Sequence, residues 1–95
     1  MRVKTELKKK LRRDFGVRMR QLRETQGLTG TKMAGMLQID RGTLKRHEDG
    51  QWMPEYPILL KISNAFDVSM DWLLFNKGPI FYKQKDLEAK AAAAR

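Results

Sequence analysis

Leu7, Leu11 and Phe15 recur at every fourth position, and Met19 and Leu22 continue the same stripe between charged residues. That spacing predicts an amphipathic helix with a narrow apolar face. Thr5 stands where its N-cap belongs. Gly16 falls inside the stripe, so one bent helix or two successive helices both fit, with Gly27 as the C-terminal stop. Thr29 or Thr31 starts a short second helix with apolar positions Met33, Ala34, Met36 and Leu37. After Gln38 and Ile39, Asp40 is a good N-cap for a third helix running from Arg41 to about Glu48, and Asp49-Gly50 ends it. Pro54 and Pro57 bracket a loop leading into a fourth helix, whose expected buried face is Ile58, Leu59, Ile62, Ala65 and Phe66. Asp67 breaks that helix. Ser69 caps a last turn or two through Met70, Asp71, Trp72, Leu73 and Leu74, where Asp71 complements the helix dipole. Strand signals are few, so the expected fold is all-α, a bundle of about five helices.

Two short helices joined by a tight turn, the second capped and carrying cations, predict a helix-turn-helix. Ala34 stands where the two helices cross closely, and Leu44 faces the core. The charge supports the same direction. Of a net +9 over 95 residues, +8 lies in residues 1–23, where ten cations face two carboxylates, Glu6 and Asp14. Such asymmetry points to a polyanionic partner, either nucleic acid or an anionic membrane surface, against the plainer reading of a basic face kept for solubility. There is no cysteine and one histidine, which excludes a disulfide framework, thiolate chemistry and cysteine-ligated zinc. No apolar run approaches the roughly 18 residues of a spanning helix, and Met1 to Lys10 lacks the apolar stretch of a signal peptide. The expectation is therefore a cytoplasmic protein with no membrane partner, no metal and no cofactor. With no carboxylate or serine arrangement beside His47, that residue reads as a packing or phosphate-contacting group, and an enzyme is not expected.

The segment from Gly30 to Asp49, with apolar Met33, Leu37, Ile39 and Leu44, resembles the Cro and phage-repressor type of helix-turn-helix regulator, the lambda-repressor-like family. Arg20-Gln-Leu-Arg-Glu ahead of Gly27-Leu28-Thr29, the Glu48-Asp-Gly50 stop, the Pro54 loop and the Val68-to-Leu74 ending follow that family in order and spacing. The resemblance covers about residues 15–77, with 1–14 as a basic N-terminal helical extension and 78–95 as a C-terminal segment. It implies that Arg23 on the first helix pairs with Glu48 at the end of the third. It also exposes departures. Gly30 stands where the family often has a phosphate-reaching glutamine, Gln38 where the turn usually has glycine, and Asp67 replaces another frequent glycine. A non-glycine residue in the left-handed region costs about 1 kcal/mol.

In a helix-turn-helix the recognition helix presents its first residues to base edges in the major groove while the preceding helix crosses the backbone. The expected DNA-binding residues are therefore Arg41, Gly42, Thr43, Lys45 and Arg46, with Thr29, Thr31 and Lys32 at the start of the second helix. Arg41 and Arg46 suit guanine O6 and N7, while Thr43 and Lys45 suit phosphates. Gly42 leaves space for close approach or for a neighbouring arginine. The plainer reading of Arg46 is a salt bridge with a nearby carboxylate. Trp72 reads as a core anchor, whereas Trp52 either packs on the sugar-phosphate backbone or covers the core edge. Beyond the family pattern, Leu74, Phe75, Ile80, Phe81 and Tyr82 form an apolar cluster, read as a surface for a homodimer or a protein partner, with folding back onto the same chain as the alternative. Residues 83–95 read as a charged, then alanine-rich tail. The expected function is a sequence-specific double-stranded DNA-binding regulator of a bacterial or phage cytosol, a repressor that binds a palindromic operator as a homodimer. An antitoxin-like protein that binds DNA and a protein partner, and a membrane-surface binder, are the other classes the sequence admits.

Overall fold

The computed structural model describes residues 4–82. Five helices follow one another: α1 (Thr5–Thr25), α2 (Gly30–Leu37), α3 (Arg41–Glu48), α4 (Tyr56–Phe66) and α5 (Met70–Phe75). Helix α1 is continuous through Gly16. It therefore unites the expected N-terminal extension and the start of the domain in one rod. Its N-cap position is held by Lys4 with no side-chain cap, and Thr5 is the first helical residue. The chain enters the helix one residue earlier than the threonine signal indicates, and Glu6 in the first turn supplies the charge that complements the dipole.

The core gathers Phe15, Met19 and Leu22 of α1, Met33, Ala34 and Leu37 of α2, Leu44 of α3, Ile62 and Phe66 of α4, and Val68, Trp72 and Leu73 around α5. The first two members of the α1 stripe do not join it: Leu7 and Leu11 are 46% and 53% exposed. The reason is length. At 1.5 Å per residue, a 21-residue helix outruns the 8-residue helices beside it by roughly 20 Å. Ala65 is also exposed, in contrast to its expected burial. The inward face of α4 centres on Ile62 and Phe66, and one residue back from Phe66 turns the side chain through about 100°.

Turn chemistry positions the short helices. Thr29 Oγ1 accepts from Lys32 N–H at 3.2 Å, Asp40 from Thr43 N–H at 2.8 Å, and Ser69 Oγ from Trp72 N–H at 3.4 Å. Gln38 and Asp67 adopt left-handed φ of 57° and 52° as the C-caps of α2 and α4. Gln38 thus carries the modest strain expected where glycine would be relaxed. In exchange its N–H and that of Ile39 satisfy the carbonyls of Gly35 and Ala34.

The C-terminal apolar segment folds back onto its own chain. Ser69 N–H donates to Ile80 O at 2.7 Å, Tyr82 N–H to Asp67 O at 2.8 Å, and Met70 N–H to the Tyr82 hydroxyl at 3.0 Å. Val68 and Phe81 form an isolated antiparallel bridge, and Ile80 and Phe81 pack against the core. Of the surface expected from Leu74, Phe75, Ile80, Phe81 and Tyr82, Phe75 alone is exposed, because Leu74, Ile80 and Phe81 pack against the core and the Tyr82 hydroxyl holds Met70 N–H. The tail reading for residues 83–95 lies outside the described residues.

Gly16 is buried against the end of α3, where a Cβ would overlap the carbonyl oxygens of His47 and Glu48. Gly35 on the exposed side of α2 has nothing within 4 Å of the same position. Gly16→Ala is expected to lower stability by roughly 1–3 kcal/mol despite its better helix propensity, because the obstacle is backbone. Gly35→Ala is expected to raise it by about 0.5–1 kcal/mol. Denaturant midpoints of the two variants check the pair, and equal shifts would remove the steric account of Gly16.

Candidate nucleic-acid interface

Helix α3 owes its orientation to its two ends. At its start, Asp40 accepts the Thr43 N–H and also the Thr43 hydroxyl, at 3.0 Å. These bonds, the backbone one first, hold the Asp40 carboxyl below the usual aspartate range. A depressed carboxylate contributes stability that is present above its unfolded value and is lost as pH falls through the lowered folded value. The cap accordingly stays charged under any near-neutral binding condition. The Thr43 hydroxyl thereby also serves the cap that positions the helix.

At its far end, α3 is clamped by α1. Arg23 reaches Glu48 with a two-pronged fork, Nε to Oε2 at 2.8 Å and Nη2 to Oε1 at 3.0 Å, while its Nη1 donates to Leu28 O at 3.1 Å. Glu48 is nearly fully buried, with a side chain 5% exposed. Arg20 adds a second grip, on Glu48 Oε1 and on Asp49 Oδ1, both at 3.2 Å. The sequence reading did not assign Arg20; the signal was available, since it precedes Arg23 by three residues and so shares its helix face. Arg18, two residues before Arg20 and so on another side of the helix, donates to the carbonyls of Leu73 and Leu74 at 2.7 and 3.3 Å, satisfying the end of α5. His47 is buried, its Nδ1 3.0 Å from Trp52 O, which makes it a packing residue of the α3 terminus.

With both carboxylates at the end of α3 bound toward α1, the outward face of the helix is cationic. Arg41, Lys45 and Arg46 are exposed, and among the described residues none of them takes part in a salt bridge. Arg46 instead lies over the exposed Trp52 ring at 4.7 Å from its centroid, a cation–π contact that restricts its guanidinium without neutralising it. Gly42 makes room for this: a Cβ there would sit 3.2 Å from Arg46 Nη1 and from Asp40 Oδ1. Gly30 lies near Arg41 without such crowding, since a Cβ there would meet Arg41 Nε at an ordinary contact of 3.8 Å. Arg20, Gly30, Arg41 and Lys45 border a shallow depression of about 220 Å³ between α1, α2 and α3. Thr31 and Lys32 are exposed on the first turn of α2, and Thr29 is its cap. The expected DNA-binding residues thus fall on the first turn of α2 and on both turns of α3, and Ala34, Leu44 and Trp72 lie in the core.

A three-residue link, 38–40, between two capped 8-residue helices, packed on a longer first helix and followed by α4 and α5, is the arrangement of the lambda-repressor-like helix-turn-helix. A family model described as a helix-turn-helix domain matches residues 16–79. The chain belongs to the helix-turn-helix family. It is 38% identical over 60 residues to the uncharacterized HTH-type transcriptional regulator YqaE of Bacillus subtilis, covering 63% of this chain and 52% of that one. It is 37% identical over 60 residues to YonR, an SPbeta prophage-derived uncharacterized HTH-type transcriptional regulator of the same organism, covering 63% and 56%. A putative HTH-type transcriptional regulatory protein of Pyrococcus furiosus is 35% identical over 52 residues, covering 55% of this chain and 16% of its own. The helix-turn-helix domain therefore spans about half the length of the Bacillus relatives. No solved structure is a significant match to the chain. Among the described residues no helix is long and apolar enough to cross a membrane, and no group of three or more histidine, cysteine, aspartate or glutamate side chains is placed to hold a metal ion.

Proposed function

We propose that this helix-turn-helix protein is a transcriptional regulator that reads a specific double-stranded operator with α3 and represses by occupying it, as a homodimer assembled on a palindromic site. The observation that carries the reading is the exposed trio Arg41, Lys45 and Arg46, left without carboxylate partners because Glu48 and Asp49 are bound by Arg20 and Arg23. Arginine is the natural bidentate partner of guanine in the major groove, and the first turn of α2 lies beside it to engage phosphates. The three relatives, all described as HTH-type transcriptional regulators or regulatory proteins, support the same class of activity. Twofold symmetry follows from scale: one recognition helix covers too few base pairs for useful discrimination, and two copies on one face of the duplex stand about 34–36 Å apart.

Selection of bound duplexes from a random pool tests this directly. The expected product is an inverted repeat with half-sites about one helical turn apart, bound much more tightly than random DNA of equal length. Recovery of no enriched sequence, with equal affinity for all duplexes, would reduce the protein to a non-specific polyanion binder.

A further inference from the structure

The exposed part of α1 borders a groove whose lining includes none of Arg41, Lys45 and Arg46. Its floor is Leu11, Phe15, Met53, Leu74 and Phe75, and it encloses about 530 Å³. Leu11, Met53 and Phe75 are 53%, 41% and 64% exposed, and Leu7 extends the stripe one turn further along α1. The monomer core does not include Leu7, Leu11, Met53 or Phe75, yet together they form an apolar surface of the kind that marks an interaction site.

The rim narrows the choice of occupant. Lys8, Arg12 and Arg18 line the groove, and Lys77 stands at its end beside Leu74 and Phe75. Arg12 donates to Gly50 O at 3.3 Å and Arg18 to the carbonyls of Leu73 and Leu74, so backbone oxygens fix both guanidinium groups while leaving their charge in place. The carboxylate at this rim is Asp14, and Lys10 binds it at 2.8 Å. A second copy of the chain docked face to face would oppose one basic rim with another, an arrangement that like charges disfavour. A helix with an apolar stripe flanked by aspartate and glutamate has the opposite character on both counts.

We infer that this groove docks an acidic amphipathic helix of a protein partner, its apolar stripe on Leu11, Met53 and Phe75 and its carboxylates on Lys8, Arg12, Arg18 and Lys77. None of these residues belongs to the DNA-facing set, so the inference stands whether or not α3 reads an operator. Partner binding and DNA binding thus draw on different side chains of one small domain.

The test uses a labelled peptide of about 15 residues with leucine at every third or fourth position and glutamate on the flanks, and its lysine counterpart. Fluorescence anisotropy is expected to show saturable binding of the glutamate peptide, about tenfold or more tighter than the lysine peptide and weakened by salt. Leu11→Ser with Phe75→Ser is expected to reduce that affinity by about tenfold or more while circular dichroism and DNA affinity stay unchanged. Lys8→Glu, an exposed change on a helix surface, is expected to weaken the peptide with no loss of helicity, and it keeps the test decisive if the double variant misfolds. Equal affinity for both peptides, or no binding at millimolar concentration, overturns the inference. So does a DNA-free dimer in sedimentation that Leu11→Ser with Phe75→Ser converts to monomer, which would make a second copy the occupant. Loss of binding to phosphatidylserine vesicles in that variant, with peptide binding intact, would assign the groove to a membrane surface instead.

Discussion

Arg41→Ala or Arg46→Ala is expected to weaken binding to the selected operator by about 1–3 kcal/mol and to relax preference at one base position in each half-site. Both side chains are exposed on the recognition helix. Arg46 adds a preorganised element, because the Trp52 ring at 4.7 Å and the space over Gly42 limit where its guanidinium goes. Arg46→Lys is therefore expected to recover little, since an ammonium retains charge but loses the planar fork and the stacking. Competition binding against operators substituted one base pair at a time measures both effects. An equal loss on operator and random duplex would mean that these arginines hold phosphates and that specificity resides elsewhere.

Arg23→Ala is expected to cost about 3 kcal/mol of folding stability, the low end of the range for breaking a buried pair. The variant leaves the Glu48 carboxylate, 5% exposed, with Arg20 as its remaining cation, and Arg20 is itself half exposed. Glu48→Ala should be milder, about 1–3 kcal/mol, because Arg20 returns to water and Arg23 keeps its bond to Leu28 O. For a domain of this size the first change corresponds to a Tm lower by roughly 10–20 °C. The deficit should persist in high salt, which screens exposed pairs far more than buried ones. A loss below about 0.5 kcal/mol that disappears with salt would show the pair to be solvated and of little structural value.

Both predictions rest on features that the sequence made legible to different degrees. The short helices were readable because each begins with a side chain that caps its own backbone: Thr29, Asp40 and Ser69 bind the N–H three residues on. The cations of α3 were readable because the apolar positions around them, Leu37, Ile39 and Leu44, leave Arg41, Lys45 and Arg46 on the opposite side. Where α1 begins, and whether Gly16 breaks it, were not decided by local signals. Tertiary contact decides the second point, because Gly16 is present for the close approach of α3 and not for backbone freedom. The same limit explains Leu7 and Leu11. Periodicity marks them as apolar-face residues, but it carries no information on whether another element is long enough to cover them. Ile80, Phe81 and Tyr82 looked like an uncovered patch since their partners, Asp67 to Met70, are non-local and bind them through backbone groups that composition does not reveal.

The contact between α1 and α3 joins the Arg20 and Arg23 bonds to Glu48 with a close main-chain approach: Gly16 of α1 meets the carbonyls of His47 and Glu48, and Gly50, just after α3, lies against the backbone of Arg13. Helix α3 is thus anchored at its C-terminal end, while Arg41, Lys45 and Arg46 face outward from the anchor. The proposed operator reading then implies that substitutions at positions 41, 45 and 46 exchange one set of preferred bases for another while the Arg20, Arg23 and Gly16 contacts that hold the helix stay in place. On that reading, operator preference is interchangeable on a fixed mount.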